Sequence, residues 1–90
     1  MSNPKVSVVM SVYNGERYLR KAVESILNQT FQNFEFLIIN DGSSDRTEDI
    51  LKSYDDLRIR IVNNDNNMGL AKSLNIGLRI AKGEYIARMD

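Results

Sequence analysis

An α/β fold is expected from this sequence, a Rossmann-like arrangement of three layers with a parallel sheet between helices. Short β-branched runs alternate with stretches of helical period, giving the order βαβαβαβ. Helices of about ten residues between strands act as crossovers, which makes the strands parallel and the connections right-handed. The second strand is apolar almost throughout, as a strand covered on both faces is.

The first strand is Val6 to Val12, an apolar run broken by Ser7 and Ser11 and too short for a signal-peptide core or a membrane span. After Asn14-Gly15, apolar residues recur at Tyr18, Leu19, Ala22, Val23, Ile26 and Leu27, the spacing of one helix face, with Asn14 as its expected N-cap. Phe34, Phe36, Leu37, Ile38 and Ile39 make the second strand. Asp45, with Glu48 three residues on, resembles a capping box for a short helix through Thr47, Ile50, Leu51 and Tyr54. Arg58 to Val62 alternates at its start, which suits a third strand near the sheet edge. An asparagine-rich loop, Asn63 to Asn67, leads to a third helix with Leu70, Leu74, Leu78 and Ala81 on its expected buried face. Gly83 is the expected C′ glycine, and Tyr85 to Met89 begins a fourth strand before Asp90.

Composition limits the chemistry. Twelve basic residues balance twelve acidic ones, so no basic stripe offers a footprint for nucleic acid. With neither cysteine nor histidine, disulfides, thiolate zinc sites and Ser–His or Cys–His nucleophiles are excluded. Carboxylates, hydroxyls, amides and lysines remain. The cytoplasm is the default compartment, and membrane attachment through a further C-terminal part is left open.

Open parallel sheets bind ligands beyond the C-terminal ends of their strands. Those ends are Ser11-Val12-Tyr13-Asn14, Asn40-Asp41-Gly42-Ser43, the asparagine run and Asp90. Each has an ordinary reading as core aromatic, turn, solvated loop or chain end; together at one sheet edge they favour a binding site. Neither Gly-x-Gly-x-x-Gly nor Gly-x-x-x-x-Gly-Lys-Ser/Thr is present, which leaves dinucleotide and P-loop phosphate binding unsupported. On the residues alone, a donor-binding enzyme and a small binding module with acidic strand ends both stand.

The order of the motifs is more specific. Val6-Ser7-Val8-Val9-Met10-Ser11-Val12-Tyr13-Asn14, Ser25-Ile26-Leu27-Asn28-Gln29-Thr30-Phe31 and Asp41-Gly42-Ser43-Ser44-Asp45 resemble the opening of family 2 glycosyltransferases. Asn67-Met68-Gly69-Leu70, Asn75-Ile76-Gly77, Ala81 to Ile86 and Met89-Asp90 are similar to the family's approach to its Asp-x-Asp motif. The family often has proline where Ser11 stands and a second acid where Asn40 stands; we read both departures as tuning.

The resemblance implies a GT-A fold of which residues 1–90 are the N-terminal nucleotide-sugar-binding part, ending at the first letter of Asp-x-Asp. It implies inverting transfer from a nucleoside-diphosphate sugar, with a UDP-sugar favoured, to a saccharide or lipid-linked acceptor in bacterial cell-surface polysaccharide synthesis. Tyr13 then matches the ring that stacks on the base, Asp41 the carboxylate that accepts the base N3–H, and Ser11 a base-side hydroxyl or backbone position. Asp90 matches the acid against the ribose and begins a motif whose later acid holds Mg²⁺ or Mn²⁺. Lys72 is within sequence reach of the site but expected to be solvated. The general base belongs beyond the motif, so this chain should hold no catalytic residue and should transfer no sugar alone. The edge of the fourth strand is an expected site of self-association.

Overall fold

Val8, Met10 and Val12 fall on one side of the first strand and Val9 on the other, so that strand needs cover on both faces. In the computed structural model, which describes residues 3–89, it has that cover. The elements are β1 (Val6–Val12), α1 (Leu19–Leu27), β2 (Phe34–Asn40), α2 (Thr47–Lys52), β3 (Ile59–Asn63), α3 (Leu70–Ile80) and β4 (Tyr85–Met89). All pairings are parallel and the strand order is β3-β2-β1-β4. The chain therefore starts mid-sheet, moves out through β2 to β3, and crosses back to lay β4 on the other side of β1. That reversal between β1 and β4 is the switch point at which such sheets open a crevice. β3 is an edge strand, as its alternation suggested.

The two faces differ. Val8, Met10, Val12, Phe34, Phe36 and Ile38 pack with Leu19 and Val23 of α1 and Leu51 of α2. On the other face Val9, Leu37 and Leu74 of α3 make a smaller buried cluster, with Ile80 and Ala81 packed against it. That second layer is thin because α3 lies close to the sheet: a Cβ on Gly77 would sit 2.5 Å from Val9 Cγ1. The expected buried face of this helix is corrected accordingly. Ser73, Leu74 and Gly77 are buried, whereas Leu70 and Leu78 are exposed, since small side chains permit the close approach. Gly77→Ala gains helix propensity of ~1 kcal/mol but forces Val9 to move. A net loss of about 1–2 kcal/mol is expected in urea unfolding, and an unchanged midpoint would show that Val9 yields freely.

Gly83 is also corrected. α3 ends at Ala81 in extended conformation, and the positive-φ glycines are Gly42 and Gly69. Gly83 is small because the backbone passes Ser7, where a Cβ would lie 2.5 Å from the Ser7 nitrogen. Its N–H donates to Ser7 Oγ at 2.7 Å. Ser7 in turn donates to Glu35, which accepts from the Lys82 N–H at 2.6 Å and from Arg60 Nη1 at 3.1 Å. Burial pushes the Glu35 carboxyl up, but the Lys82 N–H, Ser7 and Arg60 outweigh it and hold it below its ordinary range. This buried network fastens the turn that feeds β4.

β4 is the other edge, with Tyr85 and Ile86 exposed. Beside it, an apolar hollow of about 260 Å³ is lined by Val6, Val8, Ile26, Phe31, Phe34 and Met89. Val6 and Phe34 begin β1 and β2, so this hollow is not at the strand ends where the polar clusters gather. Among the described residues no helix is long and apolar enough to cross a membrane.

Candidate functional site

β1 and β2 run in register to Val12↔Asn40, so Tyr13 and Asp41 leave the sheet side by side. The Asp41 N–H continues the ladder by donating to the Val12 carbonyl at 2.8 Å. Tyr13 is 49% exposed, with its ring available to a ligand. Ser11 is half-buried in β1, opposite Ile39 of β2. On its other side β1 follows β4 to Met10↔Met89. Asp90 lies outside the described residues. Lys72 is exposed on α3.

Asp41 is only 2% exposed. Its Oδ1 accepts from Asn64 Nδ2 and the Met68 N–H, both at 2.9 Å, and its Oδ2 accepts from the Gly69 N–H at 2.9 Å. Burial alone would raise its pKa. The Met68 N–H, Asn64, Ser73 and the Gly69 N–H more than offset this, so the group is held ionised below the usual carboxylate range. These four donors take up most of the lone-pair sites that the carboxylate has to offer.

Asn64, in what reads in sequence as an ordinary solvated loop, and the Met68 and Gly69 N–H groups that follow that loop are what secure this carboxylate. Asn64 bridges Asp41 and Ser73 Oγ, the latter at 3.1 Å, while its N–H donates to the Asn40 carbonyl at 2.9 Å. Asn40 Nδ2 donates to Asn63 Oδ1 at 3.0 Å and Asn40 Oδ1 accepts from the Ser43 N–H at 3.4 Å. An amide both gives and receives, and a carboxylate there would place a second buried charge next to Asp41. That is a physical reason for an amide at Asn40. Gly42 has φ of +72°, and a Cβ there would lie 2.4 Å from the Asn66 carbonyl carbon.

Two capping expectations are corrected. Asn14 does not cap α1, whose N-cap is Tyr18; it has φ of +51° and its Oδ1 accepts from the Ser44 N–H at 2.8 Å and the Asp45 N–H at 3.3 Å. Asp45 does not form a capping box with Glu48. α2 begins one residue later, with Arg46 at its N-cap, and Asp45 Oδ1 accepts from the Thr47 N–H at 2.9 Å as an Asx turn. Both side chains serve the loops between elements, a role that sequence spacing cannot distinguish from capping.

Tyr13 and Asp41 thus leave adjacent strand ends, the aromatic ring half-exposed and the carboxylate ionised and enclosed by its own donors. Among the described residues no group of three or more acidic side chains could hold a cation, and Asp41 is committed to amides. A divalent metal does not fit the residues described.

The Glycosyl transferase family 2 model matches residues 7–90. A glycosyltransferase of Haemophilus influenzae is 48% identical over 97% of this chain, which spans 28% of that protein. The crystal structure of S. aureus TarS in complex with UDP superposes with a TM-score of 0.88 at 31% identity, over 96% of this chain and 27% of that one. Mannosyltransferase PcManGT from Pyrobaculum calidifontis, in complex with GDP-Man and Mn²⁺, gives a TM-score of 0.83 at 25% identity, over 96% of this chain and 27% of that one.

Proposed function

The chain belongs to glycosyl transferase family 2, and on that premise we propose that residues 1–90 form the donor-nucleotide part of an inverting enzyme. The donor is a nucleoside-diphosphate sugar, UDP-linked, and the acceptor a saccharide or lipid-linked glycan in cell-surface polysaccharide synthesis. The observation that carries this is the pairing of the exposed Tyr13 ring with the ionised, nearly saturated Asp41 on adjacent strand ends. Stacking on Tyr13 contributes ~1–3 kcal/mol per base and tolerates any base. Selection falls to Asp41. Uracil presents an N–H at N3, whereas cytosine presents an acceptor that would face the carboxylate, and a hydrogen bond to a charged group is worth ~1.5–3 kcal/mol. Ser11 is assigned to the base from β1, and the ribose contact is assigned to Asp90.

The described residues supply nucleotide binding only. We assign the general base, and the acid that would hold Mg²⁺ or Mn²⁺, to parts of the enzyme other than residues 1–90, so the chain by itself transfers no sugar. The enzyme works in the cytoplasm, with any membrane attachment made elsewhere. For the isolated chain, the β4 edge remains the surface on which two copies would pair.

Titration calorimetry tests the base assignment. UDP should bind about tenfold or more tightly than CDP, since ~1.4 kcal/mol corresponds to each factor of ten. Tyr13→Ala should weaken both by a similar factor and keep their ratio. Equal affinities in the unmodified chain would remove Asp41 from base recognition. Guanine also carries a ring N–H, at N1, and the GDP-Man complex of PcManGT makes GDP the informative third ligand. Tighter binding of GDP than UDP would reassign the donor.

A further inference from the structure

Tyr13 and Asp41 act together only if the two loops that carry them keep a fixed spacing. β-Ladder bonds reach Val12↔Asn40 and the Asp41 N–H, and beyond them the spacing depends on the loops. Asp41 is fixed from the α3 side. The Tyr13 loop is held by a separate set of bonds that begins at the next residue. Asn14 takes a left-handed backbone, uncommon outside glycine but tolerated by asparagine. In that conformation its N–H donates to Ser43 Oγ at 2.9 Å while its Oδ1 accepts from the Ser44 and Asp45 N–H groups. The Gly15 N–H then donates to Thr47 Oγ1 at 2.9 Å and the Glu16 N–H to the Asp45 carboxylate at 3.2 Å. The Asn14 bonds therefore join the residue after Tyr13 to the second, third and fourth residues after Asp41.

We propose that Asn14 is a positioning residue for base recognition: its bonds to Ser43, Ser44 and Asp45 set the Tyr13 ring against the Asp41 carboxylate and thereby set base selectivity. The proposal rests on the nucleotide reading given above. Most of the bonds that Asn14 makes are solvent-exposed, so water replaces them readily and their loss costs little stability. Their effect is geometric. An aromatic platform displaced from its partner still stacks, but the base N–H no longer meets the carboxylate.

The test compares the unmodified chain with Asn14→Gly and Asn14→Asp, using UDP and CDP in calorimetry and thermal unfolding in parallel. Glycine adopts the left-handed conformation freely, so N14G keeps the backbone and loses only the side-chain acceptor. We expect N14G to unfold within about 5 °C of the unmodified chain. UDP affinity should fall by about tenfold while CDP affinity changes little, bringing their ratio towards one. Aspartate retains an oxygen acceptor, so N14D should recover most of the ratio. Should N14G fail to fold, Ser43→Ala removes only the hydroxyl that receives the Asn14 N–H and should lower the ratio in part. An unmodified chain that prefers UDP, with N14G preferring it equally, overturns the positioning role alone. So does an N14D chain that behaves like N14G. No UDP preference in the unmodified chain overturns the nucleotide reading and this inference with it.

Discussion

Asp41→Ala is expected to remove about half or more of the stability of the 90-residue chain. The carboxylate is 2% exposed and satisfies Asn64 Nδ2 and the Met68 and Gly69 N–H groups. Alanine strands all three donors beneath the α3 N-terminus. Each stranded donor costs ~1–3 kcal/mol, and a non-additive total of about 3–5 kcal/mol is reasonable. A chain of this length has a total stability of about 5–13 kcal/mol, small domains lying at the low end. Urea unfolding should therefore show a midpoint reduced by half or more. A midpoint equal to that of the unmodified chain would mean that water reaches these donors and that Asp41 is not structural. Asp41→Asn separates the two roles. Its amide oxygen still serves two donors, but its NH₂ faces either the Gly69 N–H or the base N–H, so the variant should fold, less stably, and lose its preference for UDP.

The ionisation of Asp41 adds a pH dependence with a definite sign. Its folded pKa is depressed, so its contribution is complete above the unfolded value of ~3.9 and is lost as the pH falls through the lower folded value. Stability from this group should be flat from neutrality to about pH 5 and decline below about pH 4. Base recognition by the carboxylate should persist across the same mildly acidic range.

How much of this was legible in the sequence depends on which interactions repeat along the chain. Hydrophobic period marked all seven elements and the edge position of β3, because alternation and helical spacing record which faces are covered. It placed Leu74 correctly on the buried face of α3 but also put Leu70 and Leu78 there, where Ser73 and Gly77 complete the contact with the sheet. Small residues carry little hydrophobic signal even when they fix a close approach. The strand-end rule brought Tyr13 and Asp41 to adjacent positions. What sequence could not reveal is that Asp41 is held by Asn64 and the N–H groups of Met68 and Gly69, or that Asn14 reaches across to Ser44 and Asp45. Those bonds join positions 23 to 31 residues apart in sequence, and no local pattern encodes them. Glu35 was missed for a related reason: a charge within a buried strand looks like a solvent-facing position until its partners on β1, β3 and the α3–β4 turn are known.

Glu35 carries the second large effect. Glu35→Ala should destabilise the chain by about 2–4 kcal/mol, because the Lys82 N–H and the Ser7 hydroxyl lose their acceptor in a buried site. Arg60 weighs less in this sum, since its side chain is 41% exposed and water can take over its charge. The loss should be uneven. Lys82 and Gly83 form the turn into β4, and Ser7, which holds Gly83, is itself oriented by Glu35. Without Glu35 the start of β4 loosens against β1, and the Val6↔Tyr85 end of their register is the first to open. Amide exchange should therefore accelerate at Lys82, Gly83 and Tyr85 beyond the global decrease, while the Asp41 and Gly69 amides follow the global value only. Uniform acceleration throughout would show that the network contributes stability without fastening this turn. Acidification offers an independent check. The Glu35 pKa is depressed in the folded chain, so its contribution is present above the unfolded value of ~4.3 and is lost as the pH falls through the folded one. Glu35→Gln keeps an acceptor for the Lys82 N–H but removes the titration, so it should be less stable than the unmodified chain at neutral pH, and the gap should narrow below about pH 4.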